Sequence, residues 1–445
     1  MSNTTQGNDT IAAVATPPGQ GGIGIVRISG PLAVAIGASV TGANLPRRRP
    51  AVRNFFRDGE ALDKGIALYY PGPGSFTGED VVELQGHGGP MVLQMVLEAV
   101  LAEGARLARP GEFTERAYVN GKLDLAQAEA VADLIASASA AAARGAFRSL
   151  EGVFSSEINE LDARITELRV YVEAAIDFPE EEVEFLASGR VAERIDAITT
   201  SVKALLDQGR QGVLMSQGIN IALVGPPNSG KSSLLNRLTG EETAIVTDIP
   251  GTTRDLLKVD LVIDNLPLRL VDTAGLRDTA DRVEIEGVRR ARKEAAQADL
   301  VLLLNDLANP GEEDGAAAWP NALPVDNKID LVGAEPGIDR SRTPARVRIS
   351  CLTGAGIHSL KQAIKERVGF TGAESAFSAR RRHLVALGQA EAALQASNQR
   401  LNEGAAGEIV AEELRHAHLA LGEITGQTAP DDLLGEIFRT FCIGK

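Results

Sequence analysis

Two stretches of this chain carry apolar residues at helical spacing. The first runs from residue 123 to about residue 211, and the second begins at Ser378. A recurrence every three to four residues predicts helices, and such stripes are more typical of a bundle core than of a binding face. Because neither stretch looks able to bury its stripe alone, we expect the two to pack together. The stripes consist of Leu161, Ile165, Leu168, Val172 and Ala175, and of Leu384, Leu387, Ala390 and Leu394.

Residues 10 to about 118 follow another pattern, in which short apolar runs are separated by glycine and proline. Residues 24–28 and 66–69 are two such runs. Short runs bounded by turn residues are typical of strands, so this region predicts α+β architecture with several strands.

Residues 217 to about 370 predict an α/β domain. The run at 321–326 is short and contains Pro324, which cannot donate to a central ladder, so the sequence argues against a strand there. Residues 307–320 read as a surface loop. The predicted strands are 219–224, 268–272, 300–304 and 346–350.

These patterns predict a multidomain fold, α/β plus α, and 445 residues suit two to four domains. The α/β region interrupts the helical one, so we interpret it as an insertion, which is tolerated where the two junctions lie close in space. The predicted domains are an N-terminal α+β domain at 1–119, a central helical bundle domain at 120–215 and 372–445, and the inserted domain at 216–371.

A phosphate-binding loop follows the first predicted strand of the inserted domain. Gly225 begins the pattern G-x-x-x-x-G-K-S, which ends at Ser232 and leads into a helical segment. Glycines let backbone amides turn toward phosphate. Lys231 supplies a charge for the β- and γ-phosphates, and the Ser232 hydroxyl is a ligand for Mg²⁺.

Three further motifs follow in a fixed order. Asp272-Thr273-Ala274-Gly275 places a carboxylate for Mg²⁺ and a glycine amide for the γ-phosphate. Asn327-Lys328-Ile329-Asp330 offers the Asp330 carboxylate to the N1–H and amine of guanine, a pair of donors that adenine lacks. Ser350-Cys351-Leu352 lets backbone amides approach the guanine oxygen. The ordered set predicts a Ras-like P-loop GTPase domain.

The residue after Gly275 is Leu276, where Ras-like switches carry a glutamine that orients water. Water must therefore be positioned in another way. One candidate is the loop at 247–255, which offers carbonyls, hydroxyls and Arg254 to the phosphates. The other is the charged stretch after Gly275, although spacing alone favours a solvated switch segment there. This stretch contains Arg277, Asp278, Asp281, Arg282, Glu284 and Glu286.

Composition narrows the function classes. A net charge of −15 and a pI near 5.0 argue against a protein that grips nucleic acid unaided through a wide basic face. The basic clusters at 47–49 and 380–383 fit solvated loops somewhat better than an RNA contact. With no long apolar run and no signal-like N-terminus, we expect no membrane span and a cytoplasmic protein. Cys351 and Cys442 fit no metal motif, and Cys442 is equally compatible with a reactive thiol and with a small apolar residue that docks the tail.

The chain resembles the tRNA-modifying GTPase family MnmE, also called TrmE, over nearly its whole length. The motifs that carry the resemblance are distributed from the N-terminus to the C-terminus. They are Thr16-Pro17-Pro18-Gly19, residues 24–30, Pro71-Gly72-Pro73, Ser75-Phe76-Thr77-Gly78-Glu79-Asp80, residues 83–89, residues 109–114 and Phe441-Cys442-Ile443-Gly444-Lys445.

The resemblance implies hydrolysis of GTP to GDP with K⁺ in the site, where the cation takes the role of an arginine finger. It implies that Glu284 orients water, beside Lys231 and Arg254 as catalytic residues. Mg²⁺ ligands would be Ser232 and Thr253, and K⁺ ligands Asn228, Thr247, Ile249 and Thr252. The full predicted GTP-binding set is Asn228, Ser229, Gly230, Lys231, Ser232, Ser233, Thr247, Asp248, Ile249, Pro250, Gly251, Thr252, Thr253, Asp272, Thr273, Ala274, Gly275, Asn327, Lys328, Asp330, Ser350, Cys351 and Leu352.

The resemblance also implies partners. The family acts with a flavin-dependent protein, MnmG, to install an aminomethyl-type group on the wobble uridine of certain tRNAs. A formyl- or methylene-tetrahydrofolate donor would bind the N-terminal, folate-binding-like domain at Arg27, Glu83 and Lys122, and that domain would form a homodimer. The predicted site residues also include Cys442 and Lys445 of the C-terminal tail.

Two other functions stay open at this point. One is a regulatory GTP switch in RNA or ribosome maturation, which predicts slow turnover and a basic appendage. The other is a folate-dependent one-carbon enzyme gated by the GTPase domain, which predicts turnover without a flavoprotein.

Overall fold

The structure is a computed structural model that describes residues 9–176, 190–241, 243–245, 258–272, 293, 295–309, 319–372, 377–404 and 406–444. The chain divides into two compact units, and each is discontinuous in sequence. The first consists of residues 1–132, 155–163 and 418–445, and the second of residues 133–154 and 164–417. Within the described ranges, no helix is long and apolar enough to cross a membrane.

The described helices and strands follow one another as the sequence patterns predict, strand-rich first and helical last. The helices are α1 (Ala33–Thr41), α2 (Pro90–Ala102), α3 (Glu112–Val119), α4 (Leu125–Ile135), α5 (Ala140–Leu150), α6 (Val153–Ile176), α7 (Val191–Gln217), α8 (Lys231–Glu241), α9 (Ile329–Val332), α10 (Ile357–Val368), α11 (Arg381–Asn402), α12 (Gly407–Thr425) and α13 (Asp431–Arg439). The strands are β1 (Ile11–Val14), β2 (Gly21–Ser29), β3 (Ala51–Arg57), β4 (Glu60–Tyr70), β5 (Val81–Gly88), β6 (Arg106–Leu107), β7 (Ile219–Val224), β8 (Thr243–Ile245), β9 (Lys258–Ile263), β10 (Leu266–Asp272), β11 (Leu300–Asp306), β12 (Ala322–Asn327), β13 (Gly337–Asp339) and β14 (Arg346–Arg348).

The first unit contains a six-stranded sheet in the order β3-β4-β5-β2-β1-β6. The sheet is antiparallel except where β6 joins β1 in parallel. Its core includes Phe55, Val82 and Leu84, which pack with residues of α1 and α2. The predicted α+β architecture of the N-terminal region is confirmed, because period-two burial and turn residues dominate here.

The C-terminal helix α13 belongs to this first unit. Phe438 and Phe441 pack with Leu125 and Ala128 in one apolar cluster. Tyr118 donates a hydrogen bond from its hydroxyl to the carbonyl of Gly426 at 2.9 Å. The C-terminus is thereby fixed onto the N-terminal part of the same unit.

The second unit contains an eight-stranded sheet in the order β13-β14-β12-β11-β7-β10-β9-β8. Five neighbouring strands, from β14 to β10, run parallel. Strand β7 matches its predicted bounds, β10 and β11 are longer by two residues, and β14 ends two residues early at Arg348. Continuous apolar runs such as Ile221 to Leu223, which are fully buried, are typical of such central parallel strands.

The objection to a strand before Asn327 was wrong. Strand β12 lies between β11 and β14 and contains Pro324. Asp326 directs its carbonyl toward β14, where it accepts from Ile349, whereas Asn327 directs its carbonyl toward β11. By this alternation Pro324 faces the β14 side, where pairing begins only at Val325. The missing N–H therefore removes no ladder bond.

The two helical stretches pack together as expected. Asn398 on α11 donates to Asp196 on α7 at 2.6 Å, and both stripes are buried apart from the half-buried Leu384. The junctions of the α/β insertion also lie close in space. The Gln211 side chain donates to the carbonyl of Gly369 at 2.8 Å and accepts from the amide of Thr371 at 3.1 Å. The predicted boundaries of the inserted domain, at 216 and 371, stay a prediction.

Candidate nucleotide-binding site

The phosphate loop connects the end of β7 to the first residue of α8. Gly225 and Gly230 have φ angles of 157° and 102°, and Asn228 has a φ of 62°. A Cβ on Gly230 would collide with Nδ2 of Asn327, and one on Gly225 with the carbonyl of Leu304. Both glycines are required by close backbone approach as well as by conformation. The loop thus has the open amides of a helix N-terminus that an anion needs.

Lys231 lies over this loop. Its ammonium donates to the carbonyls of Gly225 and Pro226 at 2.8 and 2.9 Å. These bonds hold a positive charge at the centre of the cradle, within reach of a phosphate chain that occupies it.

Asn327 joins the phosphate loop to the base loop, the segment Ser350-Cys351-Leu352. Its Nδ2 donates to the carbonyl of Ser229 at 2.8 Å, and its Oδ1 accepts from the amide of Cys351 at 3.0 Å. Since Asn327 is buried at the end of β12, these two bonds fix the spacing between the phosphate and base ends of the site. The side chain is therefore a brace rather than a free ligand.

Lys328 follows with a φ of 67°, and its ammonium pairs with Asp306 at 2.7 Å. The hydrogen bond from Lys328 is the main cause that lowers the pKa of Asp306. The pair connects the carboxyl ends of β11 and β12, where ligands of doubly wound sheets bind.

A cavity of about 1100 Å³ extends from the phosphate loop to the base loop. Asp330 lies in its wall with an exposed side chain, and Leu352 is 79% exposed. Binding pockets for small ligands span on the order of 300–1000 Å³, so the cavity has room for a nucleoside triphosphate. The lining residues from the predicted set are Asn228, Gly230, Lys231, Ser232, Ser233, Asn327, Lys328, Asp330, Cys351 and Leu352.

Cys351 is buried in the base loop, and burial raises the pKa of its thiol to about 11. The thiol is therefore neutral at physiological pH and acts as a small packing group. Ser350 supports the same turn by accepting from the amide of Thr353 at 3.2 Å. Ser229 is fully buried beneath the loop and does not border the cavity through its side chain.

Several predicted site residues lie outside the described part of the chain. For Asp272, at the end of β10, the structure gives only its backbone pairing with Leu223 of β7. The charged stretch at 277–286 and residues 310–318 are also outside it. The predicted residues concerned are Thr247, Asp248, Ile249, Pro250, Gly251, Thr252, Thr253, Arg254, Thr273, Ala274, Gly275, Glu284 and Lys445.

The described donors fit the two predicted cations. Ser232 is exposed at the start of α8, and Asn228 borders the same cavity. Hydroxyl and amide oxygens suit hard cations such as Mg²⁺ and K⁺. The same loop leaves no room for a Cβ on Gly230 beside Nδ2 of Asn327, so its backbone is held close to the wall of the cavity that these donors border.

Of the three predicted folate residues, the structure brings together Arg27 and Glu83 but not Lys122. Arg27 on β2 forms an ion pair with Glu83 on β5 at 2.9 Å and lies over the ring of Phe113. Burial, and then the Glu83 carboxylate, raise the pKa of the neighbouring Tyr70. Lys122 is exposed and passes beside Gly78, and no contact within the described residues joins it to the ion pair.

The C-terminal tail approaches the Arg27–Glu83 pair. Arg27 donates to the carbonyl of Gly444 at 3.4 Å, and Gly111 donates its amide to the carbonyl of Cys442 at 3.3 Å. Cys442 itself is exposed, so the interpretation of this residue as an apolar dock is wrong. The main chain and the buried Phe441 dock the tail instead.

Sequence reasoning missed two residues of the nucleotide site, Arg237 and Asp306. Arg237 binds the carbonyls of the base loop, and Asp306 pairs with Lys328. Neither belongs to a motif. Asp306 ends a buried strand at the ligand edge of the sheet, which is a usable signal, whereas Arg237 gives none.

A largely parallel sheet whose strand β7 ends in a phosphate loop, with Asp330 and a braced base loop at the other end of the cavity, defines a P-loop GTPase. A family model described as the MnmE helical domain matches residues 125–442, and one described as the N-terminus of the GTP-binding protein TrmE matches residues 10–122. The chain belongs to the MnmE family of tRNA modification GTPases.

Full-length relatives agree with this assignment. The tRNA modification GTPase MnmE of Alkalilimnicola ehrlichii is 52% identical over 98% of this chain and 99% of its own length. The protein of the same name from Nitrosococcus oceani is 54% identical over 98% and 97%. Among solved structures, the G domain of the T. maritima FeoB iron transporter is 27% identical over 34% of this chain and 98% of its own, with a TM-score of 0.27.

Proposed function

We propose that this protein hydrolyses GTP to GDP in a potassium-dependent reaction and acts with the FAD-dependent protein MnmG. Together they would install a carboxymethylaminomethyl or aminomethyl group on C5 of the wobble uridine of certain tRNAs. The observation that carries the GTPase part is the brace by Asn327, which joins the phosphate loop to the base loop. The tRNA part rests on membership of the family.

Two cations belong to the proposed reaction. When bound, they would neutralise charge on the phosphates as the terminal phosphoryl bond breaks. Ser232 and Thr253 would hold Mg²⁺, and Asn228 with Thr247, Ile249 and Thr252 would hold K⁺. The left-handed backbone of Asn228, beside the cavity, supports its part in this set.

Three side chains would serve the chemical step. Lys231 lies over the phosphate loop and would bind the phosphates, while Glu284 would orient the attacking water and Arg254 would face the phosphates. The position of Lys231 over the loop carbonyls supports its role. For Glu284 and Arg254, the support is the match to the family motifs.

The remaining proposals concern the N-terminal unit and the partners. We propose a homodimer through the N-terminal domain, a formyl- or methylene-tetrahydrofolate donor at Arg27, Glu83 and Lys122, and a cytoplasmic location. The support for the folate site is the pair Arg27–Glu83 beside the docked tail, a compact group of polar side chains on β2 and β5.

The potassium requirement is tested by exchanging K⁺ for Na⁺ at equal ionic strength and measuring phosphate release by the full chain. We expect the rate to fall by tenfold or more, and equal rates would remove potassium from the mechanism. Asn228→Gly is the matched variant, because glycine accepts the φ of 62° but lacks the amide oxygen. It should abolish the difference between the two cations and still bind GDP.

The tRNA proposal is tested by mass analysis of tRNA nucleosides from a strain that lacks this protein, with a pull-down of its partners. We expect loss of the C5 modification and recovery of a flavoprotein. An unchanged nucleoside profile would favour a regulatory GTP switch.

A further inference from the structure

Arg237 connects the phosphate end of the site to its base end. It lies on α8, the helix that begins at Lys231. Its Nε and Nη2 donate to the carbonyl of Cys351 at 3.1 and 3.0 Å, and Nη2 donates to the carbonyl of Leu352 at 2.6 Å. A Cβ on Gly354 would lie 3.7 Å from Nη1, so the guanidinium fills the inside of the turn. One half-buried side chain thus binds two successive carbonyls of the base loop.

The amides of the same turn are nearly all engaged. Cys351 donates to Asn327 at 3.0 Å, Thr353 to the Ser350 hydroxyl at 3.2 Å, and Gly354 to the Ser350 carbonyl at 2.9 Å. Within the described part of the chain, the amide of Leu352 has no hydrogen-bond partner. It is therefore the donor of this turn that remains available to a ligand in the cavity that Leu352 lines.

Arg237 determines where that amide points. In a trans peptide the C=O and the following N–H point in opposite directions. Because Arg237 fixes the carbonyl of Cys351 toward its guanidinium, the N–H of Leu352 points away from that guanidinium. The amide of Cys351, in the preceding peptide, donates to Oδ1 of Asn327, and the carbonyl of Leu352, in the following peptide, accepts from Arg237. The peptide between Cys351 and Leu352 is thus fixed through its own carbonyl and through both neighbouring peptides before a base binds.

We propose that Arg237 is a positioning residue for base specificity, which directs the Leu352 amide at the oxygen on C6 of guanine. The inference rests on the proposed function, in which this cavity binds GTP. Adenine carries an amine at C6, so the same N–H would face a donor and remain unpaired. A bound base covers this N–H, and a covered donor without a partner carries a penalty that discriminates between bases.

The test compares the full-length wild type with Arg237→Ala and Arg237→Lys. The affinity of each is measured for GDP and for the diphosphate of 2-aminopurine riboside, which keeps the amine of guanine but lacks the oxygen on C6 and the N1–H. The lost N1–H affects every variant alike, so the variants are compared by the ratio of the two constants. We expect Arg237→Ala to raise the Kd of GDP roughly tenfold and that of the analogue by less than about twofold. Arg237→Lys should fall between, because an ammonium lacks the planar fork that binds two carbonyls.

Arg340→Ala is the control, since this exposed arginine pairs with Glu366 and does not line the cavity. It should leave both constants unchanged. Equal weakening of both ligands by Arg237→Ala would show a general structural effect and overturn the inference, as would unchanged GDP affinity. If the wild type bound GDP and the analogue equally, the cavity would not recognise guanine. That result would contradict the proposed function, and not only the role of Arg237.

Discussion

Different kinds of bonds set the geometry of the nucleotide site and that of the N-terminal unit. In the nucleotide site, Asn327 sets the spacing through bonds to backbone groups of Ser229 and Cys351, and the Lys328–Asp306 ion pair is the charged exception. In the N-terminal unit, charged side chains bind one another. Glu112, with a side chain only 3% exposed, pairs with Arg106 and Arg116. Backbone groups do not titrate, so we expect the first region to tolerate acid better than the second.

The difference also bears on function. A site for a highly charged ligand gains from fixed backbone dipoles, because they need no counter-charge when the ligand is absent. A network of ion pairs fixes geometry but must be ionised to do so. The contrast predicts that single changes act on ligand binding in one region and on stability in the other.

The largest effect should come from Lys231→Ala. Loss of the charge over the phosphate loop should lower the rate of GTP hydrolysis by at least a hundredfold, while the folded state survives. The rate is measured as phosphate release at saturating GTP. Lys365→Ala, which removes an ammonium paired with the exposed Asp264, is the control. A rate within tenfold of the wild type would contradict the phosphate-loop assignment.

A backbone change should come next. Gly230→Ala places a Cβ against Nδ2 of Asn327 at a φ of 102°, so it should break the brace and weaken GDP binding by roughly tenfold or more. Gly388→Ala on α11 is the control, because an added Cβ there meets nothing within 4 Å and the residue does not line the cavity. Binding is measured by titration calorimetry. If both variants bound alike, backbone approach would not define the site.

The N-terminal unit should respond to pH instead. Burial opposes ionisation of Glu112, but bonds from Arg106 and from the amide of Arg109 outweigh it and lower its pKa to about 2 from 4.5. Since the folded pKa is depressed, the stabilisation is complete above pH 4.5 and is lost as the pH falls toward 2. We expect Glu112→Gln to remove about 2 kcal/mol at pH 7 and to flatten the acid dependence.

Hydrogen exchange of peptides from β2 and β5 measures this loss, and fluorescence of the single tryptophan, Trp319, follows the nucleotide unit in the same samples. Glu98→Gln removes a carboxylate from an exposed pair with Arg57 and should have little effect. Acid unfolding of the nucleotide unit before the N-terminal unit would reverse the proposed contrast.

The sequence predicted the parts of the nucleotide site that depend on local rules. Continuous apolar runs gave β7 and β11, and the glycines of the phosphate loop indicated its backbone approach. It failed at Pro324, because whether a proline disrupts a strand depends on which neighbour its nitrogen faces. That alternation is set by the sheet order and cannot be read from one strand.

Contacts between residues that are distant in the chain also could not be predicted from the sequence. Arg237 carries no motif, and its role depends on the base loop more than a hundred residues later. The ion pairs of Glu112 likewise join residues of separate elements in the N-terminal unit. Cys442 shows the same limit, because the residues that dock the tail are its neighbours Phe441 and Gly444.

Recognition of guanine by the base end of the cavity is tested most directly by Asp330→Asn. Aspartate accepts from the amine of guanine, whereas asparagine offers a donor that suits the carbonyl of xanthine at the same position. Hydrolysis of GTP, ATP and XTP is measured for the wild type and the variant. We expect the wild type to prefer GTP over both by about a thousandfold or more and the variant to prefer XTP. Equal use of ATP by the wild type, or an unchanged preference for GTP in the variant, would contradict the account.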